Sequence, residues 1–321
     1  MFDSVLIISF GGPQGPADVR PFLANVLRGR RVRPERVEDV AHHYEMFGGV
    51  SPITALTTTQ AEGLRDRLAA AGHPLPVHVG MRNWHPYLAD TLRRMYDQGA
   101  RRAIGFIAAP HHSYSSCQQY RENVEAARAD LRASRAGGDI TVTYVASWFD
   151  HPLFIGAVAG HVADALARLP AELRGQARVL FTAHSIPTRM AEASRYREQL
   201  EVSAKAVASE VGCEWALVYQ SRSGRPEDPW LEPDVCEYLR RERQAGLAAA
   251  VLCPIGFVCD HIEVLYDLDY EAAQACREIG LPMARAAAVN DDPRFLDMMC
   301  DVVRRTMQRY TGPPMPIVGR P

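Results

Sequence analysis

Close cysteine pairs are missing from this chain. Its seven cysteines, Cys117, Cys213, Cys236, Cys253, Cys259, Cys276 and Cys300, are scattered, odd in number and free of any C-x-x-C spacing. Zinc and iron–sulfur sites need closer ligands, so neither is expected, and reduced, mostly buried thiols are the natural reading. An excess of charge of one sign is missing as well. A balance of 36 Lys and Arg against 38 Asp and Glu leaves a net charge of −2, which speaks against nucleic acid or anionic lipid as a partner. A membrane span is also missing at the start. Residues 1–10 are apolar but too short to cross a bilayer, and they lack the basic flank of a signal peptide. They read as a first buried strand, in a cytoplasmic protein with at most peripheral membrane contact.

What is present is the composition of an ordinary globular enzyme, 47% hydrophobic and 23% charged over 321 residues. That length suggests two domains of about 150 residues each. Apolar, β-branched runs alternate with helical patterns, the signature of a parallel α/β architecture. Strands are expected at 4–10, 77–81, 102–109 and 140–146, then at 177–182, 216–220, 247–254 and 283–285. Helices are expected at 17–28, 54–71, 87–98, 117–135, 152–169, 195–211, 233–244 and 293–310. The boundaries read as a first domain over 1–148 and a second over 149–290. A closing helix and tail, 291–321, should pack back on the first. The tail after Thr311, rich in Pro and Gly, should be loosely ordered.

The stretch from Pro254 to Asp267 runs out of an apolar strand into a segment that reads as helical. On such a helix Asp260, Glu263, Asp267 and Glu271 fall at i, i+3, i+7 and i+11 and share one face. A solvated acidic face is the plain explanation; a cation or a departing proton is the functional one. His184 stands where the apolar run from Val179 ends, which is where open α/β sheets place their chemistry. Ser185 beside it invites a hydrolase reading, but no G-x-S-x-G elbow is present.

Other segments carry weaker signals. Phe10-Gly11-Gly12-Pro13 is an ordinary turn or a tight one that lets a flat ligand approach. The loop from Tyr44 to Pro52 is unusually aromatic for a linker and includes Ser51 before a helix start. His111 and His112, adjacent on extended chain, point to opposite sides and cannot share a metal. The hydroxyls of Ser113, Ser115 and Ser116, with Tyr120 at a helix start, suit carboxylate groups of a ligand. Trp230 in a polar loop is either core packing or the wall of an aromatic-ligand cleft.

Taken in order, the Ser-Phe-Gly-Gly-Pro start, the Phe-Gly-Gly-Val-Ser-Pro loop, the Thr-Ala-His-Ser-Ile-Pro turn and the Gly-Phe-Val-Cys-Asp-His-Ile-Glu-Val-Leu-Tyr-Asp segment resemble the ferrochelatase family over nearly the whole chain. The resemblance implies two Rossmann-like domains with the active cleft between them, and insertion of Fe²⁺ into a porphyrin. It is nearest to the actinobacterial, Gram-positive type of coproporphyrin III ferrochelatase, acting in heme biosynthesis as a monomer. By the same resemblance His184 and Glu263 are the catalytic and metal-contacting pair, and Asp267 and Glu271 a secondary acidic relay. Porphyrin contacts fall on Phe10, Tyr44, Ser51, Tyr120 and Trp230, and the acidic helix contains a π-helical stretch. Some relatives carry Tyr where this chain has Phe10, which cannot serve as an axial ligand. Others hold a [2Fe–2S] cluster on C-terminal cysteines, which the tail here lacks, so no cluster and no tightly bound cofactor are expected. Fe²⁺ enters as substrate. The rival readings are a protoporphyrin IX ferrochelatase, a cobalt chelatase of a related tetrapyrrole, and a non-catalytic heme or porphyrin carrier.

Overall fold

The computed structural model describes residues 1–29, 33–223 and 227–311; the tail expected to be loosely ordered lies outside them. Strands β1 (Ser4–Ser9), β2 (Val77–Met81), β3 (Arg102–Ile107) and β4 (Thr141–Tyr144) form a parallel sheet in the order β2-β1-β3-β4. Strands β5 (Ala177–His184), β6 (Glu214–Gln220), β7 (Ala249–Cys253) and β8 (Met283–Arg285) form a second, in the order β6-β5-β7-β8. Counted from its own first strand, each half has the same topology. β1 and β7 are buried at every position, as central strands covered on both faces must be. In each sheet the strand order reverses beside the first strand. The carboxyl ends flanking those reversals deliver Phe10 and His111 in the first half, and His184 and the 254–261 loop in the second.

The helices are α1 (Val19–Val26), α2 (Pro34–Met46), α3 (Ile53–Ala70), α4 (Leu88–Asp97), α5 (Gln119–Ser134), α6 (Pro152–Ala167), α7 (Thr188–Glu192), α8 (Tyr196–Val211), α9 (Val235–Gln244), α10 (Ile262–Val264), α11 (Ala273–Glu278) and α12 (Pro293–Thr311). π-helical turns occupy Tyr114–Gln118 and Leu265–Ala272, the second joining α10 to α11. One apolar core runs through both halves, from Ile7 and Phe106 through Leu64 and Phe154 to Phe181 and Val251. The last helix, α12, packs on α3 and α6, and its Phe295 meets Trp148 and Phe154 at ring distances of 5.8 and 6.4 Å.

Two differences from the expected elements matter for the site. Residues 254–261 are not helical, because Pro254 and Gly256 turn the chain and His261 caps a helix that begins only at Ile262. Asp260 therefore does not stand on the face of Glu263, Asp267 and Glu271, and the four-carboxylate face expected from spacing is a row of three. Helix α2 was not among the expected elements, although Val37, Val40, Ala41 and Tyr44 give it an apolar stripe at i, i+3, i+4 and i+7.

Candidate active site

His184 is the last residue of β5, paired in register with Gln220. Its Nδ1 lies 2.5 Å from the Ser185 carbonyl. That oxygen only accepts, so Nδ1 carries a proton and Nε2 is the nitrogen turned towards Glu263. Glu263 reaches the same place from the 254–261 loop. The loop crosses the end of β5 because Gly256 has no side chain: a Cβ there would stand 2.8 Å from Ala183 Cα. Gly256 N–H donates to the Thr182 carbonyl at 3.0 Å, and His261 Nδ1 accepts from Glu263 N–H at 3.2 Å, starting the helix. The result places Glu263 Oε2 3.9 Å from His184 Nε2, with side chains 37% and 33% exposed. Sequence reasoning brought these two together and the coordinates do the same.

Asp267 and Glu271 continue from Glu263 along the π-helical turn, whose wider winding keeps residues four apart on one side. Burial, with the like charges of Glu263 and Glu271, pushes the Asp267 carboxyl up to about 8, against hydrogen bonds from Ser221 and Gln220. Glu271 is raised by burial and by Asp234. A cavity of about 350 Å³ lies on the outer side of this row, walled by Gln220, Ser221, Asp234, Cys236, Asp267 and Glu271. His184 and Glu263 are not among its walls. Gln220, Ser221 and Asp234 were missed in the sequence; only the register of β6 against β5 brings the first two to the row.

The first half supplies an aromatic wall. Phe10 packs edge-on against Phe22 at 6.2 Å, and Phe22 against Tyr44 at 5.6 Å. Burial raises the Tyr44 phenol, with the charges of Glu263 and Asp267 adding to it. Burial likewise pushes Tyr120 up to about 12, with the Arg82 guanidinium over its ring opposing and Glu263 adding. Both phenols thus feel Glu263 and belong to its surroundings. His43 on α2 stacks on Tyr266 of the π-helical turn at 3.6 Å, closing the two halves on each other at this end. Ser51 is 5% exposed and packs behind Gly12, where a Cβ would meet Ser51 Cβ at 2.5 Å. Gly11 has φ +83° and a Cβ there would press on Met81 and Trp84. Protein packing by itself requires both glycines, in keeping with the ordinary-turn reading of this segment. Ser113 caps the first π-helical turn in a reciprocal pair with Ser116.

Trp230 is half-buried and bridges antiparallel to Pro187, beside the His184 turn. Ser185 is 2% exposed and donates its hydroxyl to the Leu231 carbonyl at 2.8 Å, so it is no nucleophile and the hydrolase reading falls. Tyr196, also missed in the sequence, donates to the His184 carbonyl at 3.1 Å and is raised by burial, with Tyr219 and Glu263 contributing. His111 is buried and donates to Ser203, which already donates to Phe149; burial pushes it down to about 3, so it stays neutral. Among the described residues no three His, Cys, Asp or Glu converge on a metal-sized point, all seven cysteines are unpaired, and no helix is long and apolar enough to cross a membrane.

Two parallel sheets with matching switch points, and a His–Glu pair backed by a carboxylate row, define a chelatase-type α/β protein. The sirohydrochlorin chelatase SirB from Bacillus subtilis subspecies spizizenii, solved with cobalt, superposes with a TM-score of 0.56 over 97% of this chain and 98% of that one, at 13% identity. The family model described as Ferrochelatase matches residues 3–307. A coproporphyrin III ferrochelatase of Mycolicibacterium smegmatis is 45% identical across 99% of this chain and 95% of its own length. A ferrochelatase of Rhodopirellula baltica is 47% identical across 98% and 88%, and a coproporphyrin III ferrochelatase of Streptomyces coelicolor 46% across 94% and 84%. The chain belongs to the ferrochelatase family. It is a porphyrin metal chelatase, and its substrates are a porphyrin and ferrous iron.

Proposed function

We propose that this chain inserts Fe²⁺ into coproporphyrin III, giving Fe-coproporphyrin III in heme biosynthesis, as a cytoplasmic monomer without a resident cofactor. The choice of ring is supported by the names of the Mycolicibacterium and Streptomyces relatives, which align over nearly the full chain. The observation that carries the chemistry is the 3.9 Å approach of His184 Nε2 and Glu263 Oε2. Free-base porphyrin must release two pyrrolic protons as Fe²⁺ sheds its waters. A neutral imidazole lone pair and a carboxylate suit both tasks, since each binds intermediate ferrous iron and accepts a proton. Two donors on one face leave the other coordination positions to the four ring nitrogens. In this reading Asp267 and Glu271 pass protons or metal between Glu263 and solvent. Phe10, Tyr44, Ser51, Tyr120 and Trp230 hold the macrocycle, and Phe10 leaves His184 as the axial donor.

The test is anaerobic ferrous insertion with coproporphyrin III and protoporphyrin IX side by side. His184→Ala should lose about 10²-fold or more in rate while porphyrin binding, followed by Soret absorbance, survives; retained turnover removes His184 from the mechanism. Glu263→Gln should be nearly as damaging. Faster insertion into protoporphyrin IX would overturn the choice of ring and leave the chelatase chemistry standing.

A further inference from the structure

The carboxylate of Asp260, three residues before Glu263, is held by groups that take no part in the row of three. Asn290 Nδ2 donates to Asp260 Oδ2 at 2.8 Å, and the Asp260 backbone N–H returns a bond to Asn290 Oδ1 at 2.9 Å. Arg285 Nη1 donates to the other carboxylate oxygen at 2.6 Å, joined there by the Ala288 N–H at 3.2 Å. Asn290 N–H also donates to the Val258 carbonyl at 3.0 Å. Making all these bonds at once places Asn290 at φ +42°, a backbone region few side chains other than Asn and Asp enter. The clamp extends both ways. Arg285 Nε and Nη2 grip Asp269 of the π-helical turn at 2.7 and 2.8 Å. From the first half, Gln60 on α3, 1% exposed, donates to the Asn290 carbonyl at 2.7 Å and to the Val258 carbonyl at 3.3 Å.

Glu263 itself is loosely held. Its carboxylate meets His184 at 3.9 Å, beyond hydrogen-bond range, so its place is set by the backbone that carries it. That backbone is held at Glu263 itself by the His261 Nδ1 cap on its N–H at 3.2 Å and by the Gln220 amide donating to its carbonyl at 3.1 Å, and it is anchored behind by Asp260 and ahead by Asp269. We infer that Asn290 is a positioning residue for Glu263, acting through its reciprocal hydrogen bonds with Asp260. This rests on the ferrochelatase reading of the His184–Glu263 pair. A shift of about 1 Å at a reacting group can cost on the order of 10²-fold, so loosening this loop should be felt at the metal while the aromatic wall that meets the ring is untouched.

Asn290→Gly separates the roles, because glycine keeps the left-handed backbone and removes only the amide. Insertion is measured anaerobically against Fe²⁺ and against porphyrin, with folded sites counted by Soret titration. The KM for Fe²⁺ should rise about tenfold, or kcat per titrated site fall as far, while the porphyrin Kd stays within about twofold. Asp260→Ala should cost at least as much, since it also releases Arg285 and the Ala288 N–H, and the double variant should fall short of the sum of the two singles, since both break the Asp260–Asn290 pair. Asp260→Asn keeps one acceptor oxygen, enough for the Asn290 amide or for Arg285 and Ala288 but not for both, and should fall between Asp260→Ala and the wild type. A merely structural clamp would lower the number of titrated sites and leave both KM values alone, which overturns the inference. So does Asn290→Gly with wild-type metal KM and kcat. A wild-type chain that inserts no Fe²⁺ into either porphyrin removes the functional reading and this inference together, a result plainly different from an active wild type with an indifferent Asn290.

Discussion

Asp267 keeps its proton until about pH 8, chiefly because burial strips water from its carboxyl and secondly because Glu263 and Glu271 stand close. Its pKa in the folded chain lies above the unfolded one, so the native state favours the protonated form. That contribution is whole below about pH 4 and fades as pH rises through 8. Asp267→Asn should therefore gain stability over the wild type as pH is raised, with a Tm difference that is larger at pH 9 than at pH 5. The wild-type rate of ferrous insertion should bend near pH 8, whereas Asp267→Asn should show no such bend and should cost less activity than Glu263→Gln. The chemistry of single residues was partly legible in advance. His184 at a strand end and an acidic series after it stood out, because strand termini and carboxylate spacing are local features; the choice of Glu263 from that series came from the family resemblance. Tyr196 and Gln220 did not, since what brings them to His184 and Asp267 is the packing of α8 and the register of β6, which no local pattern encodes.

Helix α12 fastens the two halves with apolar and charged contacts together. Phe295 is fully buried against Trp148 and Phe154. Phe295→Ala should cost about 3–5 kcal/mol in urea unfolding, because the cavity it leaves cannot collapse. On the same helix, burial alone would raise the Asp301 carboxyl, but the hydrogen bond from His151 at 2.8 Å and the Arg305 guanidinium outweigh it and hold it low. The stability from this lowered pKa is present above about pH 4 and lost as acid protonates the native carboxylate. Asp301→Asn should lower Tm at pH 7 and have little effect near pH 3. At this scale strands were the most legible elements, because fully buried runs such as 4–9 and 249–253 have one plausible use. The segment 254–261 misled for a physical reason: its carboxylates fit helical spacing, yet a proline and a glycine that must touch Ala183 decide the backbone. The apolar stripe of α2 was readable, but it is short and set among charged residues.

The apolar core shared by the two sheets makes the molecule one thermodynamic body. Calorimetry should show a single unfolding peak, and a porphyrin that binds only the folded chain should raise its midpoint with concentration. Two separate transitions would mean that the contacts across the core contribute little. The doubled architecture was visible in the sequence as two strand–turn segments, one ending in glycines and one in His184. The cross-links that lock the halves, His43 on Tyr266 and Gln60 on Asn290, were not visible, because their partners lie some two hundred residues away along the chain.

One topology is used twice, but the carboxylates belong to the second copy alone and most of the aromatic wall to the first. On the proposed assignment, grip on the pigment and handling of the ion are written in different stretches of the gene. Exchange of the wall between relatives should then alter which tetrapyrrole is welcomed while leaving the proposed proton and iron machinery intact.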